Sequence, residues 1–301
     1  MHGSLAAFRT SWTLGLAVIL AAILEACTPS AVSVQINPPS VASTASSSPG
    51  TPPGGPGAST SASSTTTAGF SCDFPNTPTD CGFALQAAAT DRAMIVGPGR
   101  VGPTAVQLTT EPGDINLFGS GTAERADLEL PPSAAYCNQG QEEWWAHSVM
   151  FPSGYVIPVL DLLVSNWGVV FDFHHTGSTG QANFQVVSLP TGLELWIAGG
   201  PTVVNGPTDP GFYRVRIGSV QFDVWYDFVY HVLWSSGSDG YFQAWLNNQQ
   251  VMNYSGPTLY AGQSCYLKLA NYHSPLGLPV SVIHSRVVRG ATQADVQLPA
   301  Q

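Results

Sequence analysis

The stretch AWLNNQQVM, Ala244 to Met252, places two short apolar runs on either side of the pair Asn247-Asn248. Asparagine tolerates the left-handed backbone that a two-residue hairpin turn requires, so the stretch predicts a β-hairpin turning at that pair. The same pattern extends outward, because short runs rich in Val, Phe, Tyr and Trp alternate with clusters of Gly, Pro, Asn and Asp. We find no long helical period and no internal repeat. Beyond Phe70 the chain is therefore predicted to be all-β.

Eleven runs of this kind predict the individual strands. Many antiparallel strands in about 230 residues are typical of a sandwich or a barrel, and most simply of one jelly-roll domain over residues 71–301. The predicted strands are 124–130, 143–151, 167–174, 183–188, 193–198, 212–217, 225–234, 241–246, 249–254, 265–272 and 280–289.

The N-terminus has the pattern of an export signal. Arg9 precedes an apolar run from Leu14 to Leu24, which is short for a membrane span but suits a signal-peptide core. The run ends in LEAC, which resembles the lipobox of bacterial lipoproteins. We expect residues 1–26 to be a lipoprotein-type signal peptide and Cys27 to be lipidated, which would anchor the protein to the bacterial cell membrane through lipid alone. Plain secretion with cleavage near Ala26, or a retained anchor, is the alternative.

A linker is predicted between the signal and the domain. No charged residue occurs from Thr28 to Ser71, and Pro, Ser, Thr, Gly and Ala dominate. Such a segment buries too little apolar area to offset its ordering entropy. Residues 27–70 are therefore expected to form a disordered tether.

The cysteine count fits an exported protein. Of five cysteines, assigning Cys27 to lipid leaves four, which predicts two disulfides with three connectivities. We favour a local pair, Cys72 with Cys81, and a long-range pair, Cys137 with Cys265. The sequence holds no CxxC pair and no HExxH motif, so we expect no metal or cofactor; nothing in the sequence indicates a structural calcium ion.

Charge excludes one class of partner. Charged residues make up 9% of the chain and the formal net charge is −10. Nucleic acid favours basic patches, so we expect no nucleic acid partner. A few local cations are still enough to dominate one cleft of an acidic protein.

The stretch CYLKLANYH, Cys265 to His273, carries Lys268, the only lysine in the chain. With the two-residue period of a strand, Tyr266, Lys268 and Tyr272 share one face. The opposite face carries Leu267, Leu269 and Asn271.

Two further strands have one polar face. In ERADLEL that face carries Arg125, Asp127 and Glu129. In WGVVFDFHH, Asp172 and His174 share a face, and the period predicts that the opposite face carries Val169, Phe171 and Phe173.

Each of these faces alone is consistent with a solvated surface, but their combination favours a binding site. Arg, Lys, His and Tyr on one concave sheet suit a sugar polymer that bears carboxylates: aromatic rings stack on sugars, cations hold acid groups, and His or Tyr moves protons. Arg214 and Arg216, which share a face in YRVRIG, are expected either to form a secondary anion contact or to be solvated.

These motifs resemble those of the concanavalin-like polysaccharide lyases, and in particular the branch that includes heparin lyase I and glucuronan lyase. YLKLANY is similar to the YxKxGxY strand of that family, FDFHH to its QxH strand and RADLEL to its RxEL strand. The stretches EEWWAHSVMFP and DFVYHVLWSSGSDGYFQAWLNNQQV also look like this branch. The resemblance covers about residues 80–290 and implies a jelly-roll β-sandwich of two antiparallel sheets.

The resemblance implies cleavage of a uronate-containing glycan by β-elimination. Tyr272 would be the acid and also a candidate base, and His174 the alternative base or its partner. Arg125 and Lys268 would hold or neutralise the uronate carboxylate. The other expected contacts to the acidic polysaccharide are Tyr266, which would shape the cleft, Asp172, Asp127 and His175.

The sequence departs from the family pattern at several positions, including ones that are expected to contact the substrate. Asp172 stands where the family has a neutralising glutamine, and an ionised aspartate would repel the substrate's carboxylate. Asp172 is therefore expected to assist only when it is protonated, which burial or a nearby anion favours. Glu129 stands where an arginine often follows, Ala270 replaces a glycine, and Asn248 replaces the glycine of an NG turn.

The sequence thus predicts an exported lyase that is a monomer. Two other functions are alternatives. A glycoside hydrolase needs two carboxylates facing each other across a cleft, for which Asp172 with Glu129 or Asp127 are candidates, but the ExDxxE strand of such hydrolases is absent. A non-catalytic glycan-binding surface module that has lost the lyase glutamine is the other alternative.

Overall fold

The computed structural model describes residues 69–115, 117–119, 121–130, 137–157, 167–177 and 179–299. The predicted signal peptide, nearly all of the predicted linker and the lipidation of Cys27 lie outside these residues. Phe70, the last residue of the predicted linker, begins the first strand. Within the described ranges, no helix has the length and apolar character to cross a membrane.

The described residues form β-strands joined by turns and short 3-10 segments. All strand pairs are antiparallel. The strands are β1 (Phe70–Cys72), β2 (Ala84–Ala87), β3 (Ala93–Val96), β4 (Ala105–Thr110), β5 (Glu124–Glu129), β6 (Glu142–Met150), β7 (Gly168–His175), β8 (Phe184–Leu189), β9 (Gly192–Ala198), β10 (Phe212–Gly218), β11 (Trp225–Leu233), β12 (Tyr241–Leu246), β13 (Gln249–Ser255), β14 (Cys265–His273) and β15 (Val280–Gly290).

Two sheets form a β-sandwich. The first has the order β13-β12-β11-β6-β15-β4-β3, with β1 pairing beside β15, and the second has the order β10-β9-β8-β7-β14-β5-β2. Sequence neighbours such as β14 and β15 lie in different sheets, as in a jelly roll. The predicted fold class is confirmed.

The core lies between the apolar faces of the two sheets. Phe173 on β7 packs edge-on against Trp145 on β6, with ring centroids 5.3 Å apart. Phe184 on β8 stacks on Phe242 of β12 at 4.2 Å. Each of these rings is fully or almost fully buried, and burying one such side chain contributes about 1.5–3 kcal/mol. This face-to-face packing leaves the outer face of the second sheet available for function.

All eleven predicted strands are present, each within one or two residues of the predicted bounds. The sequence patterns missed β1, β2, β3 and β4. β2 (ALQA) and β3 (AMIV) are short and contain alanine, which is depleted in strands. They are extended because β5 and β4, their neighbours, supply backbone hydrogen-bond partners.

The hairpin at Asn247-Asn248 is also confirmed. Leu246 on β12 pairs with Gln249 on β13, and the two asparagines between them have φ of 49° and 65°. Both turn residues therefore adopt the left-handed backbone of a type I′ turn.

Regular alternation fails at one end of β7, which corrects a prediction. Val169 does not lie on the core face with Phe171 and Phe173; it packs with Ala270 and Tyr272 on the outer face. The pairing of β7 with β8 shifts by one residue between Val169 and Phe171. Because a one-residue bulge inverts the side-chain alternation, Val169 faces outward.

Both favoured disulfides are formed. Cys72 and Cys81 have Cα atoms 5.8 Å apart, and Cys137 and Cys265 have Cα atoms 5.0 Å apart. Cys137 also forms an isolated β-bridge with Cys265, the first residue of β14. The second disulfide therefore ties the segment before β6 to the strand that carries Lys268.

Candidate active site

A cleft of about 960 Å³ lies on the outer face of the second sheet. The side chains that point outward from neighbouring strands of this sheet form its floor. The polar and aromatic residues that line it include Gln86, Arg125, Trp167, Asp172, His174, Gln185, Trp196, Arg214, Tyr266, Lys268 and Tyr272.

Arg125 and Tyr272 form a direct pair in this cleft. They are opposite each other on β5 and β14, and the guanidinium carbon of Arg125 lies 4.2 Å from the ring centroid of Tyr272. Trp167 packs edge-on against the same ring at 4.7 Å. Burial raises the pKa of Tyr272, and the positive charge of Arg125 opposes that rise. The pair places a cation beside a phenol that can carry a proton.

Carboxylates hold Arg125 and Lys268 in place on the cleft floor. Nε of Arg125 lies 3.2 Å from Oδ2 of Asp127, and Nζ of Lys268 lies 3.5 Å from Oε2 of Glu129. Lys268 also donates a hydrogen bond of 3.1 Å to Oε1 of Gln86 on β2. Lys268 is only 4% exposed, so the lone lysine is a buried part of the cleft floor and not a surface residue.

His174 contacts Tyr266, its partner across β7 and β14. Nδ1 of His174 lies 2.9 Å from the carbonyl oxygen of His175, so Nδ1–H donates there and Nε2 keeps its lone pair. The hydroxyl of Tyr266 lies 3.4 Å from the same Nδ1. Burial, with Lys268 nearby, lowers the pKa of His174 to about 3. The imidazole is therefore neutral at ordinary pH.

The two tyrosines of β14 belong to different groups. Tyr272 lies six positions after Tyr266 on the strand, which places their Cα atoms about 20 Å apart at roughly 3.3 Å per residue. Tyr266 lies with His174, whereas Tyr272 lies with Arg125. The structure thus separates His174, the alternative base of the family resemblance, from Tyr272, the acid.

Asp172 is a buried carboxyl group in the cleft lining. It is 4% exposed, and its Oδ1 has no hydrogen-bond partner among the described residues. Burial raises its pKa to about 7; Asp127 and Glu129 add to the rise, while Lys268 and Arg125 oppose it. The expectation that burial and nearby anions favour the protonated form agrees with this environment.

Two of the expected substrate contacts do not line the cleft. His175 is fully buried, with Nδ1 2.8 Å from the side-chain oxygen of Gln263 and its ring edge-on to Tyr260 at 5.1 Å. It therefore contacts the loop before β14. Asp127 is 1% exposed and serves as the counterion of Arg125.

Several lining residues were not singled out from the sequence. Gln86 lies on β2, a strand that the sequence pattern missed. Gln185 on β8 is opposite Asp172 and also opposite Trp196 on β9. The sequence pattern could have indicated Trp196, because it shares a face with Glu194 in the predicted strand 193–198. In the structure, the indole N–H of Trp196 donates to Glu194 at 2.8 Å.

Arg214 extends the cleft toward the sheet edge. It is opposite Trp196 across β9 and β10, and its Nη1 lies 4.0 Å from Oε2 of Glu194. Arg214 lines the cleft, and its side chain is 56% exposed. Within the described ranges, no group of three or more His, Cys, Asp or Glu side chains is placed to hold a metal ion.

A cleft of cations, tyrosines and tryptophans on a jelly-roll sheet is typical of an enzyme that acts on an acidic glycan. The sequence profile of the family described as "Polysaccharide lyase" matches residues 79–290. The chain belongs to this family, and it is a glycan-cleaving lyase. No curated protein matches the sequence.

Solved structures of lyases share the fold. The endo-β-1,4-glucuronan lyase from the fungus Trichoderma reesei is 14% identical, with a TM-score of 0.57 over 75% of this chain and 97% of that chain. Alginate lyase Aly36B is also 14% identical, with a TM-score of 0.50 over 76% of this chain and 98% of that chain. These likenesses confirm the jelly-roll sandwich inferred from the sequence.

Proposed function

We propose that this enzyme cleaves a uronate-containing polysaccharide by β-elimination, with Tyr272 transferring the proton and Arg125 holding the uronate carboxylate. The observation that carries the proposal is the guanidinium of Arg125 lying 4.2 Å over the ring of Tyr272 in the cleft. It puts a carboxylate-binding cation next to a proton-transfer group, as the chemistry requires.

Each step uses one of these groups. Charge neutralisation at the carboxylate makes the C5 proton of the uronate removable. The positive charge of Arg125 favours the phenolate of Tyr272 against the effect of burial. The phenolate oxygen takes the C5 proton, the electron pair forms a C4–C5 double bond, and the C4–O4 bond breaks. Tyr272 then returns the proton to O4 of the departing sugar. The products are a chain with a new hydroxyl group and a chain that ends in an unsaturated uronate.

Tyr272 serves as both base and acid because neither of its paired residues on β5 and β7 is a second proton carrier. Its neighbour on β7 is Val169, whereas His174 is opposite Tyr266. We assign His174 and Tyr266 to substrate binding, where the free Nε2 of the neutral imidazole accepts a hydrogen bond from a sugar hydroxyl.

The cleft has room for several sugars. It runs across the sheet from β5 to β10, which are five strand spacings apart, or about 24 Å at roughly 4.8 Å each. Trp167 and Trp196 provide rings on which sugars stack. Arg214 provides a cation for a second uronate at the far end.

Export through a lipoprotein signal, with Cys27 as the lipid anchor, is part of the proposal. The LEAC motif and the two disulfides support it, since disulfides persist in oxidising compartments. The mass of the mature N-terminus tests it. A diacylated Cys27 is the expected result, and an unmodified N-terminus elsewhere contradicts it.

The activity is tested by incubating purified protein with polyglucuronate, alginate, heparin and hyaluronan while ultraviolet absorbance is followed. We expect a rise with at least one polymer, because only elimination creates the conjugated unsaturated uronate. New reducing ends without that rise identify a hydrolase. Binding without either product identifies a non-catalytic module.

A further inference from the structure

We infer that Asp172 binds the polymer as a neutral carboxylic acid and donates its O–H hydrogen bond to a substrate carboxylate. The inference rests on the proposed function, since it concerns how the same cleft receives a uronate. It assigns a role to a residue that otherwise conflicts with an anionic substrate.

The first observation is that the Asp172 carboxyl group has no hydrogen-bond or ion-pair partner among the described residues. Its side chain is more than nine-tenths buried, lines the cleft, and forms no hydrogen bond or ion pair with any described residue. A buried carboxylate without a counterion or hydrogen-bond donor is strongly disfavoured, and such a group takes up a proton instead.

The second observation is that carboxylates on β5 already pair with Lys268 and Arg125, the two cations nearest Asp172 on β14 and β5. Lys268 is directly opposite Asp172 on β14, yet its Nζ lies against Glu129 and Gln86. Arg125 pairs with Asp127. Neither cation is therefore committed to Asp172.

The charge balance follows from these pairs. On β7 and the strands nearest it, the groups on the same face as Asp172 are the neutral His174 on β7, Lys268 with Tyr266 and Tyr272 on β14, and Arg125, Asp127 and Glu129 on β5. β8 contributes the uncharged Gln185, and the pair of Arg214 with Glu194 lies farther away on β10 and β9. Two cations thus meet three carboxyl groups before any substrate arrives. An incoming uronate would leave two excess negative charges in a buried site unless one carboxyl group is protonated. Asp172, the only one of the three without a cation within ion-pair distance among the described residues, is the group that carries the proton.

Protonation changes Asp172 from a repelling group into a donor. A neutral carboxyl group supplies one O–H donor, as the N–H of an amide side chain would. The raised pKa of Asp172, about 7, puts this change in the range where the enzyme can be assayed. The hydrogen-bond donor is therefore present below this pKa and is lost as pH rises through it.

The first experiment compares pH profiles of kcat/KM for the wild type and Asp172→Asn, with the polymer that the wild type cleaves fastest among polyglucuronate, alginate, heparin and hyaluronan. We expect the wild-type value to fall about tenfold per pH unit above the titration point, because one proton is required. Asp172→Asn, whose amide donates at every pH, should be active and lack this decline.

Glu143→Gln is the matched control. Burial also raises the pKa of Glu143 to about 7, but this residue lies on β6 of the other sheet and accepts hydrogen bonds from the indoles of Trp145 and Trp234. Its variant should keep the wild-type decline. The inference is overturned if Asp172→Asn declines like the wild type, if it folds but is inactive at every pH, or if Glu129→Gln abolishes the decline instead.

A binding measurement avoids reliance on the folding of Asp172→Asn. Calorimetry of the inactive Tyr272→Phe variant at pH 8, in two buffers of different ionisation enthalpy, should show about one proton taken up per uronate site bound. No uptake refutes the inference. If the wild type cleaves none of the four polymers, the proposed function fails; if it cleaves one without the predicted pH dependence, only this inference fails.

Discussion

At the scale of single residues, the cleft is defined by which charges are paired. Arg125 contacts both Asp127 and the ring of Tyr272, so the counterion fixes the guanidinium where the phenol needs it. Lys268 is fixed in the same way by Glu129 and Gln86. Fixed donors require little reorganisation when a carboxylate arrives, which is the condition for electrostatic catalysis.

Tyr272→Phe tests the proton-transfer role. The change removes one oxygen and keeps the ring that packs against Trp167 and Arg125, so the fold should persist while elimination falls by at least about 100-fold. The readout is the rate of ultraviolet absorbance increase beside the thermal unfolding temperature. Tyr213→Phe, on an exposed ring outside the cleft, is the control and should retain wild-type turnover. Near-normal elimination by Tyr272→Phe would refute the assigned role.

At the scale of the elements, the sequence patterns predicted the strands with strong composition and missed those that depend on their neighbours. β14 could be placed together with its polar face, because CYLKLANYH alternates regularly. β2 could not, because ALQA is extended only through its hydrogen bonds to β5, and with it Gln86 was missed. The outward turn of Val169 depends on a bulge between paired strands, which a one-dimensional period does not contain.

The turn between β12 and β13 offers a test of backbone conformation. Asn248 has a φ of 65°, which glycine adopts without steric cost. Asn248→Gly should therefore stabilise the protein by a few tenths to about 1 kcal/mol, and Asn248→Ala should destabilise it by about 1 kcal/mol. Thermal unfolding would show shifts of about 2–4 °C per kcal/mol for a domain of this size. Equal effects of glycine and alanine would contradict the type I′ turn.

The pair of edge strands β9 and β10 offers a test of the cleft's far end. Arg214→Ala should raise KM for long polymers about two- to fivefold, since an exposed ion pair contributes less than about 1 kcal/mol, and should leave kcat unchanged. Arg216→Ala removes the same charge from the same strand, outside the cleft lining, and should leave KM as it is. If both variants weaken binding equally, the effect comes from net charge and not from a subsite.

At the scale of the whole molecule, the interface between the sheets contains titratable groups that depart in opposite directions from their ordinary pKa values. His147 on β6 is buried and stacks on Phe171 of the opposite sheet at 3.8 Å, and burial lowers its pKa well below the usual value. Burial raises the pKa of Glu143, on the same strand, to about 7. Falling pH therefore lowers the free energy of unfolding through His147 and raises it through Glu143.

Paired substitutions separate these contributions. Below pH 6.5 the unfolded state binds a proton at His147 that the folded state refuses, so the wild type loses stability relative to His147→Leu, by up to about 1.4 kcal/mol per pH unit. For Glu143 the folded state keeps its proton up to about pH 7, so between pH 7 and 4.5 the wild type gains stability relative to Glu143→Gln as pH falls. Chemical denaturation of the three proteins at pH 7, 6 and 5 measures both differences. Parallel stability curves for the wild type and His147→Leu would show that the histidine does not remain neutral between the sheets.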